Sequence, residues 1–86
     1  MENICKTDVS KKVKLNTQLD VIKFTQVASK CKGKVDCLKD NENDRGIDGK
    51  SILGVLSMDL SEPITVVFHD TYEEAEFLKE IKEWEV

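Results

Sequence analysis

The residues best suited to nucleophilic or metal chemistry are one histidine, His69, and three cysteines, Cys5, Cys31 and Cys37. None of the cysteines has Cys-x-x-Cys spacing, and the histidine is far from them in sequence, so a metal site lacks ligands. A disulfide framework is not expected in a chain that begins without a secretory signal. We therefore expect no metal and no cofactor, and we interpret the cysteines as small apolar residues of the core.

Two short motifs place hydroxyl groups at the predicted starts of helices. Thr17-Gln18-Leu19-Asp20 fits the Ser/Thr-x-x-Asp/Glu pattern of a helix cap. Ser51 stands at the front of a short apolar segment, where serine is a preferred N-cap residue. Backbone N–H groups at the same place can also stabilise a phosphate dianion. A plain cap and a phosphorylation site therefore both stay open for Ser51.

The elements that must position these residues alternate between strands of period-two polarity and amphipathic helices. In the first half of the chain we predict a strand over 4–14, a helix over 19–31 closed by Gly33, a strand over 34–39, a polar turn over 40–46 and a short hairpin arm at 47–48.

The second half predicts two helices around one strong strand. Residues 51–58 predict a brief helix, and Ile64–Phe68 is rich in β-branched residues that favour a strand. Thr71-x-x-Glu74 fits a capping box and predicts the start of the last helix there. The order β-α-β-β-α-β-α predicts one α+β domain over residues 1–86, with an antiparallel sheet and helices on a single face.

Composition narrows the classes of function. The 86 residues carry a net charge of -4, but residues 1–39 hold nine lysines against four acids, whereas residues 40–86 hold four bases against thirteen acids. The basic excess is scattered rather than concentrated with aromatics, which argues against nucleic-acid binding. Apolar runs are too short for a membrane span. The first residues lack the apolar region of a signal peptide, so we expect a cytoplasmic protein. We also expect the basic first helix and the acidic last helix to neutralise each other in part.

Three stretches together resemble HPr, the histidine-containing phosphocarrier of the bacterial sugar phosphotransferase system. They are Gln26–Val35, Gly49–Ser57 (Gly-Lys-Ser-Ile-Leu-Gly-Val-Leu-Ser) and Pro63–Val67 followed by an acidic helix. The resemblance covers essentially the whole chain. It implies an open-faced two-layer sandwich, in which a four-stranded antiparallel sheet carries three helices on one face and the last strand runs antiparallel to the first.

The resemblance also implies a phosphate-accepting histidine at the start of the first helix, followed by arginine and proline. Family spacing places these three positions at Thr17, Leu19 and Asp20, so all three are changed. A threonine phosphate ester is too stable to relay phosphate, and Leu19 lacks the forked donors of a guanidinium. Asp20 puts a carboxylate where phosphate would sit. We therefore expect a non-enzymatic protein that does not carry phosphate.

The position that resembles a regulatory site is retained. Ser51 matches the serine that a dedicated kinase phosphorylates in Gram-positive relatives, and the neighbouring Ile52, Leu53 and Leu56 match residues that dock partner proteins there. The resemblance thus implies a regulatory or adaptor module whose partners are phosphotransferase-system proteins, a serine kinase or a transcriptional regulator.

Two alternatives stay open beside this interpretation. One is a phosphocarrier that uses another acceptor, such as His69. We expect His69 at the end of the last strand, facing solvent or Asp70. Six strand residues, about 20 Å at 3.4 Å each, would separate that end from the end of the first strand, which Thr17 follows. The other is a family relative with an unrelated binding partner, which the sequence does not separate from the adaptor.

Overall fold

Residues 7–39, 46–72 and 74–86 are described by a computed structural model of the chain. Their elements in chain order are β1 (Thr7–Val13), α1 (Gln18–Ala28), β2 (Val35–Leu38), β3 (Ile47–Asp48), α2 (Ile52–Leu56), β4 (Ile64–Thr71), α3 (Glu76–Glu80) and a 3-10 turn (Lys82–Trp84). The predicted order and the α+β class are confirmed. Cys5, the first residues of the predicted N-terminal strand and most of the predicted turn over 40–46 lie outside the described residues.

The sheet of the described residues has four antiparallel strands in the order β1-β4-β2-β3. β4 is therefore an inner strand that pairs with β1 along one edge and with β2 along the other. Phe68 marks this register, since it lies opposite Val9 of β1 and Val35 of β2. The last strand thus runs antiparallel to the first, as expected.

The two faces of the sheet differ in burial because side chains alternate along each strand. Buried residues of the strands join those of the three helices in one apolar core. Phe24 of α1 packs edge-on against Trp84, with ring centroids 6.3 Å apart. The opposite face carries half-buried or exposed residues such as Asp36, Val67 and His69. The helices therefore cover one face and leave the other open.

Helix α1 ends earlier than predicted. Its last residue is Ala28, and the C-cap is Ser29, whose N–H donates to the carbonyl of Thr25. Gly33 therefore does not close the helix. It lies instead against β4, where a Cβ atom on Gly33 would be 2.2 Å from the carbonyl oxygen of His69. This close backbone approach requires glycine.

The predicted capping box Thr71-x-x-Glu74 is wrong. β4 continues to Thr71, which lies opposite Thr7 of β1, and α3 starts at Glu76 with no side-chain cap.

The pairing of β1 with β4 has an irregular step between Thr7 and Val9. Two residues of β4, His69 and Asp70, oppose one residue of β1 there, and Asp70 has a left-handed φ of 57°. This β-bulge extends the strand through residues with low strand propensity.

The cysteines of the described residues are buried, as predicted. Cys31 and Cys37 are 2% and 0% exposed and are not in disulfides. Burial, together with the nearby charges of Asp36 and Asp48, raises the pKa of Cys37 to about 12. Its thiolate is therefore suppressed at neutral pH, which makes the thiol a poor nucleophile.

The last residues of the chain contact both α1 and the edge strand β1. Residues Trp84–Val86 run beside the end of β1: the carbonyl of Trp84 accepts from the N–H of Lys14, and the N–H of Val86 donates to the carbonyl of Lys12. Lys30, just beyond α1, forms an exposed ion pair with Glu80 of α3 at 2.7 Å. The expected neutralisation between the first and last helices therefore has one direct contact, worth at most about 1 kcal/mol at the surface.

Two further structural findings concern the described part of the chain. None of its helices has both the length and the apolar character needed to cross a bilayer. Within the same residues, no group of three or more His, Cys, Asp or Glu side chains is placed to hold a metal ion.

Replacing Gly33 by alanine tests the close approach to β4. Because the new Cβ would overlap backbone atoms of His69, Gly33→Ala should lower the free energy of unfolding by about 1–3 kcal/mol. Urea denaturation measures the change, and Lys32→Ala, at an exposed neighbouring position, is the control. Equal stability of the two variants would contradict the close approach.

Candidate functional site

The first part of the candidate site is the start of α1. Thr17 is the N-cap, and its hydroxyl accepts a hydrogen bond from the N–H of Asp20 at 3.1 Å. In return, the Asp20 carboxylate accepts from the N–H of Thr17 at 3.3 Å and from the N–H of Asn16 at 3.0 Å. The predicted capping box is therefore confirmed. Because Asp20 already accepts from these two N–H groups, they are engaged within the protein.

The electrostatics of this helix start favour the ionised form of Asp20. The hydrogen bond from the Asn16 backbone lowers the pKa of Asp20, and the hydrogen bonds with Thr17 act in the same direction. A carboxylate beside the N-terminal end of a helix is also stabilised by the helix dipole. The site consequently carries a negative charge of its own at neutral pH.

Leu19 brings no donor to this site. Its side chain is 57% exposed, one residue from the capping carboxylate. Ile22, on the next turn of α1, is also exposed. The two residues form an apolar edge on the solvent side of the helix.

The second part of the candidate site is Ser51, the N-cap of α2. Its hydroxyl oxygen accepts from the N–H of Gly54 at 3.0 Å, and the residue is half-buried. The preceding Lys50 extends its ammonium group to the carbonyl of Cys31 at 2.7 Å. Ser51 is thus a helix cap in the structure, as one of its two predicted roles requires.

Exposed apolar side chains follow Ser51 on α2, a helix that packs against α1. Leu53 is 81% exposed, and Ile52 and Leu56 are 42% and 37% exposed. Together with Leu19 and Ile22 of α1 they make up what we call the helix patch. The structure thus places the three predicted docking residues, Ile52, Leu53 and Leu56, on the surface of α2, the helix that Ser51 caps.

His69 lies near the end of β4, as predicted, but its side chain has other neighbours than expected. It faces neither solvent alone nor Asp70, because its ring lies between two carboxylates on the open face of the sheet. Nε2 is 2.8 Å from Oδ2 of Asp36 in β2, and Nδ1 is 3.1 Å from Oδ2 of Asp8 in β1. Hydrogen bonding to Asp36 raises the pKa of His69, and the charge of Asp8 adds to the rise although burial opposes it.

Two residues of neighbouring segments also hold the backbone of His69 by hydrogen bonds. Its N–H donates to the carbonyl of Lys34 at 2.9 Å, and its carbonyl accepts from the thiol of Cys31 at 3.4 Å. The only sequence signal for the cluster is that Asp36 and His69 fall at outward-facing positions of alternating strands. Asp8 joins them through the bulge, which the sequence does not indicate.

The two regions lie far apart on the sheet. Thr17 follows the end of β1, where Val13 pairs with Ile64, whereas His69 lies in the bulge just after Phe68, which pairs with Val9. The ladder between these pairs runs for about 14 Å at 3.4 Å per residue. His69 therefore takes no part in the site at the start of α1.

A cleft of about 600 Å³ lies beside this cluster and shares Asp36 with it. The cleft is lined by three lysines, Lys32, Lys34 and Lys50, and by a second carboxylate, Asp48. Because charges of both signs line it, the cleft does not select an anion or a cation by charge alone.

No protein-family model, no curated protein and no solved structure matches the chain.

The capping carboxylate gives a pH-dependent prediction. Because the folded state lowers the pKa of Asp20 below its ordinary value of 3.8, its stabilising effect is complete above that value and is lost as the pH falls through the lowered pKa. Asp20→Asn should therefore be less stable than the parent protein at neutral pH, and the difference should shrink as the pH falls below the ordinary value of 3.8. Urea denaturation across pH measures it, with Glu62→Gln as an exposed control. A difference that does not vary with pH would contradict the role of the charge.

Proposed function

We propose that this protein is an HPr-like regulatory or adaptor module that binds protein partners through the helix patch and does not carry phosphate. The observation that carries the proposal is the occupied start of α1, where Asp20 accepts the hydrogen bonds of Asn16 and Thr17. We further propose that it acts in the cytoplasm and that its partners belong to, or respond to, the sugar phosphotransferase system.

A phosphate relay requires a nucleophile, donors for the phosphoryl oxygens and a site free of other anions. Thr17 supplies a hydroxyl whose phosphate ester is an end point rather than a relay intermediate. Leu19 donates nothing, and Asp20 adds a negative charge. Two such charges within about 5 Å repel by roughly 1–3 kcal/mol at an effective dielectric constant between 80 and 20. Each of these three residues therefore supports a protein without carrier activity.

The alternative carrier that uses His69 has less support. An imidazole attacks phosphorus through a nitrogen lone pair, but both ring nitrogens of His69 face carboxylates, at 2.8 and 3.1 Å. The protonated ring that this arrangement favours has no free lone pair. An incoming phosphoryl group would also approach two negative charges. We therefore rank the carrier second.

The helix patch supports a protein partner. Single exposed apolar residues are ordinary on a small domain, but here five of them lie on two helices that pack together. Leu53, which is 81% exposed, is the most prominent member. Exposed apolar side chains on helices that pack together are typical of protein-binding surfaces.

Ser51 supports control of that surface by phosphorylation. A phosphoryl group on its oxygen would add a charge of nearly -2 directly before Ile52 and Leu53. It would also replace the hydroxyl that now accepts from Gly54. Phosphorylation would thus change both the cap of α2 and the charge of the helix patch, which would alter the choice of partner.

Two incubations test the phosphorylation chemistry. With phosphoenolpyruvate and the first enzyme of the phosphotransferase system, we expect no phosphate on the protein, whereas an active histidine carrier in the same mixture becomes labelled. With ATP and the serine kinase, we expect one phosphate on Ser51, absent from Ser51→Ala and retained in Ser57→Ala. Mass spectrometry locates the label. Phosphate on His69 in the first incubation would overturn the non-carrier proposal, and an unlabelled Ser51 in the second would overturn its regulatory part.

Substitution within the helix patch tests the docking role. Leu53→Lys should weaken binding of the Ser51-phosphorylated protein to the transcriptional regulator of carbon-catabolite repression by about tenfold or more, since it removes a central apolar contact. Val86→Lys is the matched control, because Val86 is 70% exposed but lies outside the patch. Calorimetric titration gives both affinities. Equal affinities for the two variants would exclude the patch as the docking surface.

A further inference from the structure

The side-chain cluster on the open face of the sheet has a role independent of the function proposed above. It joins three strands through one imidazole: Asp8 in β1, His69 in β4 and Asp36 in β2. We propose that these residues form a proton-dependent clasp, which fastens the start of β1 to β4 while the imidazole is protonated and releases it when the imidazole is neutral.

The geometry requires two donors on the ring. Both carboxylates only accept hydrogen bonds when ionised, so each contact needs an N–H on the nitrogen that faces it. An imidazolium has two N–H groups and satisfies both carboxylates. A neutral imidazole has one N–H, and its other nitrogen presents a lone pair to a carboxylate. When the ring releases its proton to water, one of the two contacts changes from attractive to repulsive.

The contact with Asp8 is the one that breaks. Asp36 lies closer to the ring than Asp8, at 2.8 Å against 3.1 Å. The Asp36 side chain is also less exposed, at 37% against 59% for Asp8, so water competes less for it. The single N–H of the neutral ring therefore stays with Asp36.

The start of β1 depends on the clasp because its pairing is irregular there. Asp8 falls in the irregular step between Thr7 and Val9, where the bulge of β4 interrupts the ladder. The side-chain contact replaces the regular backbone pairing at this step. Once it is lost, residues 7–9 are attached through fewer interactions and open locally with a lower free energy.

The charged groups around the ring determine the direction of the response. Asp8 comes from β1 and Asp36 from β2, while Lys34, which precedes β2, lies opposite His69 and supplies a positive charge. Asp48 of β3 lies opposite Asp36, and Asp70 follows His69 in β4. The acids outnumber the lysine, in agreement with the raised pKa of His69. The clasp is therefore closed below the ordinary histidine pKa of 6.5 and opens as the pH rises through the raised value.

Nuclear magnetic resonance tests the clasp on the intact protein. The imidazole resonances of His69, the carboxyl carbon of Asp8 and the α-carbons of residues 7–9 are followed from about pH 5.5 to about pH 10, a range in which histidine changes charge. We expect the α-carbon chemical shifts of residues 7–9 to change with the same midpoint pH as the imidazole resonances. Above that pH, residues 7–9 should become more mobile. If the chemical shifts of residues 7–9 stayed constant while the imidazole titrates, the proposal would be overturned.

Variants separate the clasp from a general effect of charge. His69→Gln should show at about pH 5.5 the open state of residues 7–9 that the parent protein shows at high pH. Asp8→Asn, an exposed substitution that should not disturb folding, should lower the imidazole midpoint more than Asp48→Asn, which removes the same charge without touching the ring. Equal midpoints in the two Asp variants, or a closed start of β1 in His69→Gln, would overturn the clasp.

Discussion

The pairing of β4 with strands on both of its edges is the interaction on which the rest of the structure depends. Because β4 lies between β1 and β2, each of its residues is tied to two neighbours, and its alternation determines which side of the sheet becomes core. Ile64, Val66 and Phe68 point toward the helices and are fully buried. The residues between them form the open face. Both regions of possible function follow from this arrangement, one at each end of the β1–β4 ladder.

At the end of the ladder next to α1, hydrogen bonds between residues close in sequence determine the structure and charge of the helix start. The start of α1 is organised by hydrogen bonds among Asn16, Thr17 and Asp20, which lie within five residues of one another. The same carboxylate that completes the cap keeps the helix start negative. The stability of the helix start and its negative charge are thus consequences of one side chain, Asp20. The proposed non-carrier function depends on this coupling.

The sequence predicts the features that depend on residues close in sequence, and it does not predict those that depend on contacts between strands. The cap at Thr17 and Asp20 and the short helix after Ser51 were predictable because each depends on residues within one turn. The cluster around His69 was not, because it needs the register of three strands and a bulge. Thr71 fits a helix cap by its local pattern, but pairing with β1 keeps it in β4. Gly33 was misassigned for a similar reason, since the atom that excludes a side chain there belongs to residue 69.

The backbone contacts of Trp84 and Val86 with β1 have a consequence for association between chains. β1 is an edge strand, and an edge with unpaired N–H and C=O groups is a template for another strand. By pairing with Lys12 and Lys14, the last described residues cover the end of β1 that lies next to α1. This short segment therefore occupies, at that end of β1, backbone groups with which a strand of another molecule would otherwise pair.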